Sequence, residues 1–136
     1  MILYAWLVGT WSAVLWFFTF GVARNLFGLF PREKAGEVTT ALFPAYFSVA
    51  IALGLAATVA LWLRRSAPRV KGALVLQLLA LLALAAIPLL IQPAMAAHPP
   101  GTPGFARWHG ISMGLNLFSL IAVPAASLLA LARRKE

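Results

Sequence analysis

His109, Ser112, Asn116 and Ser119 recur at spacings of three and four within FARWHGISMGLNLFSL, residues 105–120. That spacing lines them along one helix face, in a segment whose other residues are mostly apolar. An imidazole can ligate a metal ion or haem iron, or carry a proton near neutral pH. Serine and asparagine side chains hydrogen-bond across to neighbouring membrane helices. His109 is therefore the candidate metal ligand or proton carrier, its plainer reading being a solvated side chain at the interface. Ser112 and Ser119 read as helix-to-helix hydrogen bonders. Asn116 reads as a further bonder or as part of a ligand site. His98, in AAHPPG, is the only other histidine, and the two imidazoles together would make a two-histidine metal site.

Other chemistry-bearing residues sit in two further stretches. Arg24 follows Thr19 and precedes Asn25 in FTFGVARNLFGLF. It either snorkels to headgroups along its aliphatic stem or turns inward, where its planar fork suits a carbonyl, an anionic ligand or a haem propionate. LFPAYF gathers Phe43, Pro44, Tyr46 and Phe47, read as an aromatic belt at a helix opening or as a wall over a flat hydrophobic ligand, with Tyr46 donating one hydrogen bond as a gate. Trp108 is the expected interfacial anchor beside His109. Gln77 and Gln92 are candidate bonders between helices, and Gly9, Ser12 and Gly21 allow close packing.

The absences narrow the chemistry. There is no cysteine, and the acids are Glu33, Glu37 and Glu136, all beside charged or terminal stretches. Thiolate metal sites and cysteine nucleophiles are excluded. Paired-carboxylate hydrolysis and proton coupling through a buried acid are disfavoured. Neither a phosphate-binding glycine loop nor a HExxH pair occurs.

The elements that must position these residues are membrane helices. The chain is 62% hydrophobic and only 10% charged, against about 25% charged in soluble domains, and its mean hydropathy is +0.91. A hydrocarbon core of about 30 Å takes about 20 helical residues per crossing, and four such runs are present. They are read at about 2–30, 40–63, 73–92 and 106–132, in a single domain covering residues 1–136. The first reads as a retained helix, because it lacks a basic leader and a small-residue cleavage site. PREKAGEV is read as the first polar loop, which puts LFPAYF at the opening of the second helix. Pro88 and Pro124 fall inside helices, where neighbouring helices can satisfy the freed carbonyl.

The net charge of +8 comes from short clusters at the ends of apolar runs. No basic face is long enough to track a phosphate backbone, so nucleic acid is not an expected partner. Arg64, Arg65, Arg69 and Lys71 lie in the second loop, and Arg133, Arg134 and Lys135 in the tail; the third loop has only Arg107. By the positive-inside rule both termini are expected in the cytoplasm. LFPAYF and His109 then lie toward the outer face.

FTFGVARNLFGLFPRE, LFPAYF and FARWHGISMGLNLFSL, in that order, resemble the transmembrane-protein-205-like domain, a family of small four-helix membrane proteins of unknown function. The matching positions are Arg24, Phe43, Pro44, Tyr46, Phe47, Trp108, His109, Gly110, Asn116 and Leu117. The resemblance spans nearly the whole chain and implies an integral membrane bundle, in a bacterium the inner membrane, with no established activity or cofactor. At the level of fold it is loosely similar to the copper-resistance D proteins and to haem-linked protoporphyrinogen oxidases.

The expected fold is all-α, a membrane four-helix up-and-down bundle. The leading functional expectation is a binding or accessory module. Its outer-face site would hold a hydrophobic cofactor, a metal or a partner helix, with His109 as ligand or donor and Arg24 as anion anchor. Tyr46, Asn116, Phe43, Phe47 and Trp108 complete that site. Haem or a metal ion is the candidate cofactor, and the bilayer, a membrane protein or a second copy the candidate partner. The alternatives are a haem- or quinone-linked oxidoreductase or assembly factor, and a small oligomeric transporter.

Overall fold

Each apolar run of the sequence is a helix in the computed structural model, which describes residues 1–66 and 68–132. The four spans are Ile2–Leu29, Arg32–Trp62, Arg69–Ala96 and Pro103–Leu131. Consecutive spans pack side by side, and the fourth returns to the first, closing an up-and-down ring. The first and third spans, and the second and fourth, thus face each other across the centre. The charged tail Arg133, Arg134, Lys135 and Glu136 lies outside the described residues, as does Ala67 of the second loop.

The spans begin earlier than charge and hydropathy suggest. PREKAGEV is helix rather than loop: Pro31 caps it and the α-helix runs unbroken over Arg32–Trp62. Glu33 lies in the first turn, where a carboxylate favours the helix dipole, and Lys34 Nζ sits 2.9 Å from Glu37 Oε2. Ala35 and Thr39 are buried, so this turn packs instead of fraying. The charges do not mark the end of the helix. In the same way the third span extends beyond 73–92 on both sides. The fourth starts at Pro103 rather than near 106, with the Thr102 hydroxyl accepting from the Phe105 N–H at 3.4 Å. Gly101 supplies the turn before it, at φ +85°, a conformation that side chains with a Cβ resist.

Two spans contain π-helical segments, Phe17–Ala23 in the first and Ile87–Ile91 in the third. Pro88 accounts for the second, since its ring would clash with the carbonyl four residues back and a wider turn relieves that clash. The first contains no proline.

The core is concentrated in the half of the bundle nearer the chain ends. Tyr4, Val8, Trp11 and Leu15 recur at helical spacing and are buried; Ala50, Gly54, Ala57 and Leu61 of the second span meet them from the facing side. Gly54 is required by close approach. A Cβ there would meet the Trp11 ring and the Leu81 methyl. In the far half, packing is uneven. No side chain of Phe17–Leu29 is buried, and in the fourth span none before Ser119. Close backbone packing between the first and fourth spans ends at Trp16, where the π-helical segment begins, and from there the first span packs on the second. The outward faces carry large apolar side chains such as Ile2, Trp6, Leu82 and Leu128, as lipid contact demands.

Candidate functional site

Two hydrogen-bonded relays of the same design cross the bundle. In the near half, Tyr4 Oη donates to Gln77 Oε1 at 2.9 Å, and Gln77 Nε2 donates to Thr58 Oγ1 at 3.0 Å. At mid-depth, Tyr46 Oη donates to Asn116 Oδ1 at 3.3 Å, and Asn116 Nδ2 donates to Thr19 Oγ1 at 3.1 Å. Each relay runs tyrosine, amide, threonine. Each tyrosine-to-amide bond spans a diagonal of the ring, first to third or second to fourth. Polar groups at this depth have only protein or trapped water to bond, so each relay ties together helices whose backbones do not meet.

The relays differ in how they end. Thr58 donates on to the Gly54 carbonyl at 2.7 Å, and Tyr4 and Gln77 are 2% and 0% exposed. The tyrosine and amide of that relay are sealed, and only Thr58 is half-buried. Thr19 lies in the π-helical segment and makes no bond to the carbonyl four residues back, unlike Thr39 and Thr58. Its hydroxyl oxygen accepts from Asn116 instead. Thr19 and Asn116 are only half-buried, and they stand where the first and fourth spans part. One N–H of Asn116, like one of Gln77, has no acceptor among the described residues, but only the Asn116 amide is half-open. The relay can therefore offer hydrogen bonds to a group entering between those spans.

An aromatic pile backs this second relay. Phe18 stacks on Tyr46 with centroids 4.0 Å apart and planes inclined by 13°. Phe47 packs against Tyr46 at 4.9 Å and Phe43 against Phe47 at 5.5 Å. The pile fixes the phenol ring, so its hydroxyl is aimed without losing rotamer freedom on binding.

The depth of this site corrects an expectation. Because the second span starts at Arg32, Tyr46 stands fourteen residues in, about 21 Å at 1.5 Å per residue. LFPAYF is thus in the middle of its helix and Pro44 in its interior, not at an outer opening. Tyr46 therefore stands at mid-helix rather than in the first turn.

The remaining candidates surround the gap without closing on it. His109 is exposed, seven residues nearer the start of the fourth span than Asn116, or about 10 Å. Its ring lies parallel to Phe105 at 6.1 Å, and Trp108 beside it is half-buried. Arg24 is exposed, five residues beyond Thr19. The His98 ring lies against Gly104. Among the described residues no three His, Asp or Glu side chains gather in a metal-binding group. Ser119 is helix-to-helix glue, donating to the Ala80 carbonyl at 3.1 Å and to its own Leu115 carbonyl at 3.0 Å.

Asn116, Tyr46 and Gln77 stand out in the sequence, and their partners do not. Thr19, Thr58 and Tyr4 carried one usable signal, a hydroxyl in an otherwise apolar run.

The profile of a family described as a domain of unknown function (DUF4149) matches residues 6–98, more than half of the chain. The match covers Thr19, Arg24 and the LFPAYF stretch and ends before Asn116 and His109. The chain is also 34% identical over 106 residues to an uncharacterized protein of Aquifex aeolicus (strain VF5), covering 77% of this chain and 76% of that one. No solved structure matches.

Proposed function

The chain belongs to the DUF4149 family, and from that premise we propose that it is a membrane binding or accessory module. It holds a hydrophobic molecule bearing an oxygen acceptor, in the gap between the first and fourth spans. The observation that carries this reading is the half-buried Thr19–Asn116 pair of the Tyr46 relay, backed by stacked aromatics, where the matching amide of the other relay, Gln77, is fully buried. Unsatisfied donors at mid-membrane depth are costly. An entering carbonyl or phosphoryl oxygen would take the free Asn116 N–H and draw the Thr19 hydroxyl. Phe18, Phe43 and Phe47 supply the apolar wall, and Arg24, Trp108 and His109 the rim.

The module works from the inner membrane, with both termini in the cytoplasm and the gap opening toward the outer leaflet. The orientation rests on the count of cations in the loops and tail, and the resemblance to the transmembrane-protein-205-like domain supports only the membrane bundle. The experiment is native mass spectrometry of the full chain released from membranes in mild detergent. A small hydrophobic molecule retained by the wild type should be lost from Asn116→Leu and kept by Gln77→Leu. Equal retention by both variants, or none by the wild type, removes the reading.

A quinone-linked role is the second reading, favoured by the flat Phe18–Tyr46 stack beside hydrogen-bond donors. There His109 would exchange the proton at the rim. Iron or another metal is less favoured, because no group of three His, Asp or Glu side chains gathers among the described residues. Redox turnover that survives His109→Ala would remove the histidine from this role.

A further inference from the structure

At the near end of the bundle, away from the relay site, a groove of about 520 Å³ runs between the second and third spans, lined by Trp62, Arg65, Ser66, Lys71, Leu74, Val75 and Leu78. Its two ends differ in chemistry. Lys71, Leu74, Val75 and Leu78 follow one another at helical spacing on one face of the third span, so a single cation gives way to an apolar strip. That strip descends seven residues into the span, about 10 Å. Arg65 faces it from the turn after the second span. Its guanidinium lies 4.6 Å above the Trp62 ring and its Nη1 donates to the Trp62 carbonyl at 3.2 Å.

Those contacts fix the head of Arg65 while leaving most of its five N–H donors unused. Four cations, Arg64, Arg65, Arg69 and Lys71, fall within eight residues, and no acid lies among them. The described acids, Glu33 and Glu37, belong to the opposite end of the second span. Val75 is 58% and Leu78 37% exposed, so the apolar strip opens directly on the surrounding lipid.

We propose that this groove is a binding site for an anionic phospholipid, its phosphate held between Arg65 and Lys71 and one acyl chain lying along Leu74, Val75 and Leu78. Charge complementarity selects the headgroup: a planar fork and an ammonium suit phosphate oxygens, and basic pockets between membrane helices bind such headgroups. Continuity of the apolar strip with the lipid-facing surface selects a diacyl lipid over a soluble phosphate. The site is independent of the relay and its ligand.

The test is native mass spectrometry of the full chain in detergent, offered phosphatidylglycerol, phosphatidylcholine of the same acyl composition, or inorganic phosphate. The wild type should retain phosphatidylglycerol roughly tenfold or more over phosphatidylcholine, each cation contributing at the surface. Arg65→Gln with Lys71→Gln should bring that ratio near one without loss of the folded chain, since both side chains are exposed. Val75→Trp fills the groove while keeping every charge, and should also lower retention. Arg107→Gln, at the opposite end, should leave the preference unchanged. The proposal fails if the preference survives the double substitution or Val75→Trp, or if Arg107→Gln abolishes it equally. It also fails if inorganic phosphate displaces the lipid at matched concentration, which would mark a site for the phosphate alone.

Discussion

The indole of Trp11 rests on the backbone of Gly54, so closely that a Cβ added at Gly54 would stand 2.7 Å from Cζ2 of that ring. The same atom would stand 2.8 Å from Leu81 Cδ1. Three spans meet at this one missing side chain. Gly54→Ala is expected to destabilise the bundle by about 1–3 kcal/mol, the usual cost of overpacking. Thermal unfolding in detergent measures it, and an unchanged midpoint would show that the contact yields.

Trp11 is fully buried and its Nε1 has no hydrogen-bond partner among the described residues. Trp11→Phe removes that orphaned donor together with part of the ring. The two effects oppose one another, so the net change should be small. In the double variant the cost of Gly54→Ala should shrink by about 1 kcal/mol, the range typical of residues in contact. Strict additivity would contradict the packing described.

The sealed and open relays should respond oppositely to loss of their amides. Gln77→Leu strands the Tyr4 hydroxyl in the core and is expected to cost about 1–3 kcal/mol. Asn116→Leu should cost less, because Asn116 and Thr19 are only half-buried. Ligand retention should show the reverse order. Unfolding midpoints compared with native mass spectra separate the two readouts.

Tyr46→Phe keeps the stack on Phe18 and deletes only the hydroxyl. Stability should change by about 1 kcal/mol or less, near the net value of one hydrogen bond. Retention of the bound molecule should fall. Tyr46→Ala, which removes the ring, should cost about 3–5 kcal/mol. If Tyr46→Phe leaves retention untouched, the phenol is a wall and not a donor.

The chain contains no cysteine, so single cysteines report topology cleanly. Ser66→Cys should be labelled by an impermeant thiol reagent only after the membrane is opened, and Thr102→Cys in intact cells. The opposite pattern would invert the orientation that the cation count implies.

Four spans were readable because lipid imposes one strong rule, an apolar run long enough to cross. Their ends were not. Glu33, Lys34 and Glu37 look like a loop on charge alone, yet good helix formers with an internal ion pair continue the helix into the headgroup region. Asn116 and Gln77 were recognisable as polar residues needing partners. Which partners they have depends on the ring closing so that second faces fourth and first faces third, and no spacing along one helix encodes a diagonal. Arg24 and His109 illustrate the same limit from the other side, since their residue type suggested an inward site and the parting of their two spans leaves both exposed.

The π-helical segment Phe17–Ala23 amounts to a surplus residue stored in the first span. A chain lacking one residue there could rewind as plain α-helix while keeping Trp11 toward the core on one side and Arg24 at its present bearing on the other. Loss of one residue in this short segment would therefore leave the packing around Trp11 in place. It would tune how far apart the first and fourth spans stand, and so the width of whatever passes between them.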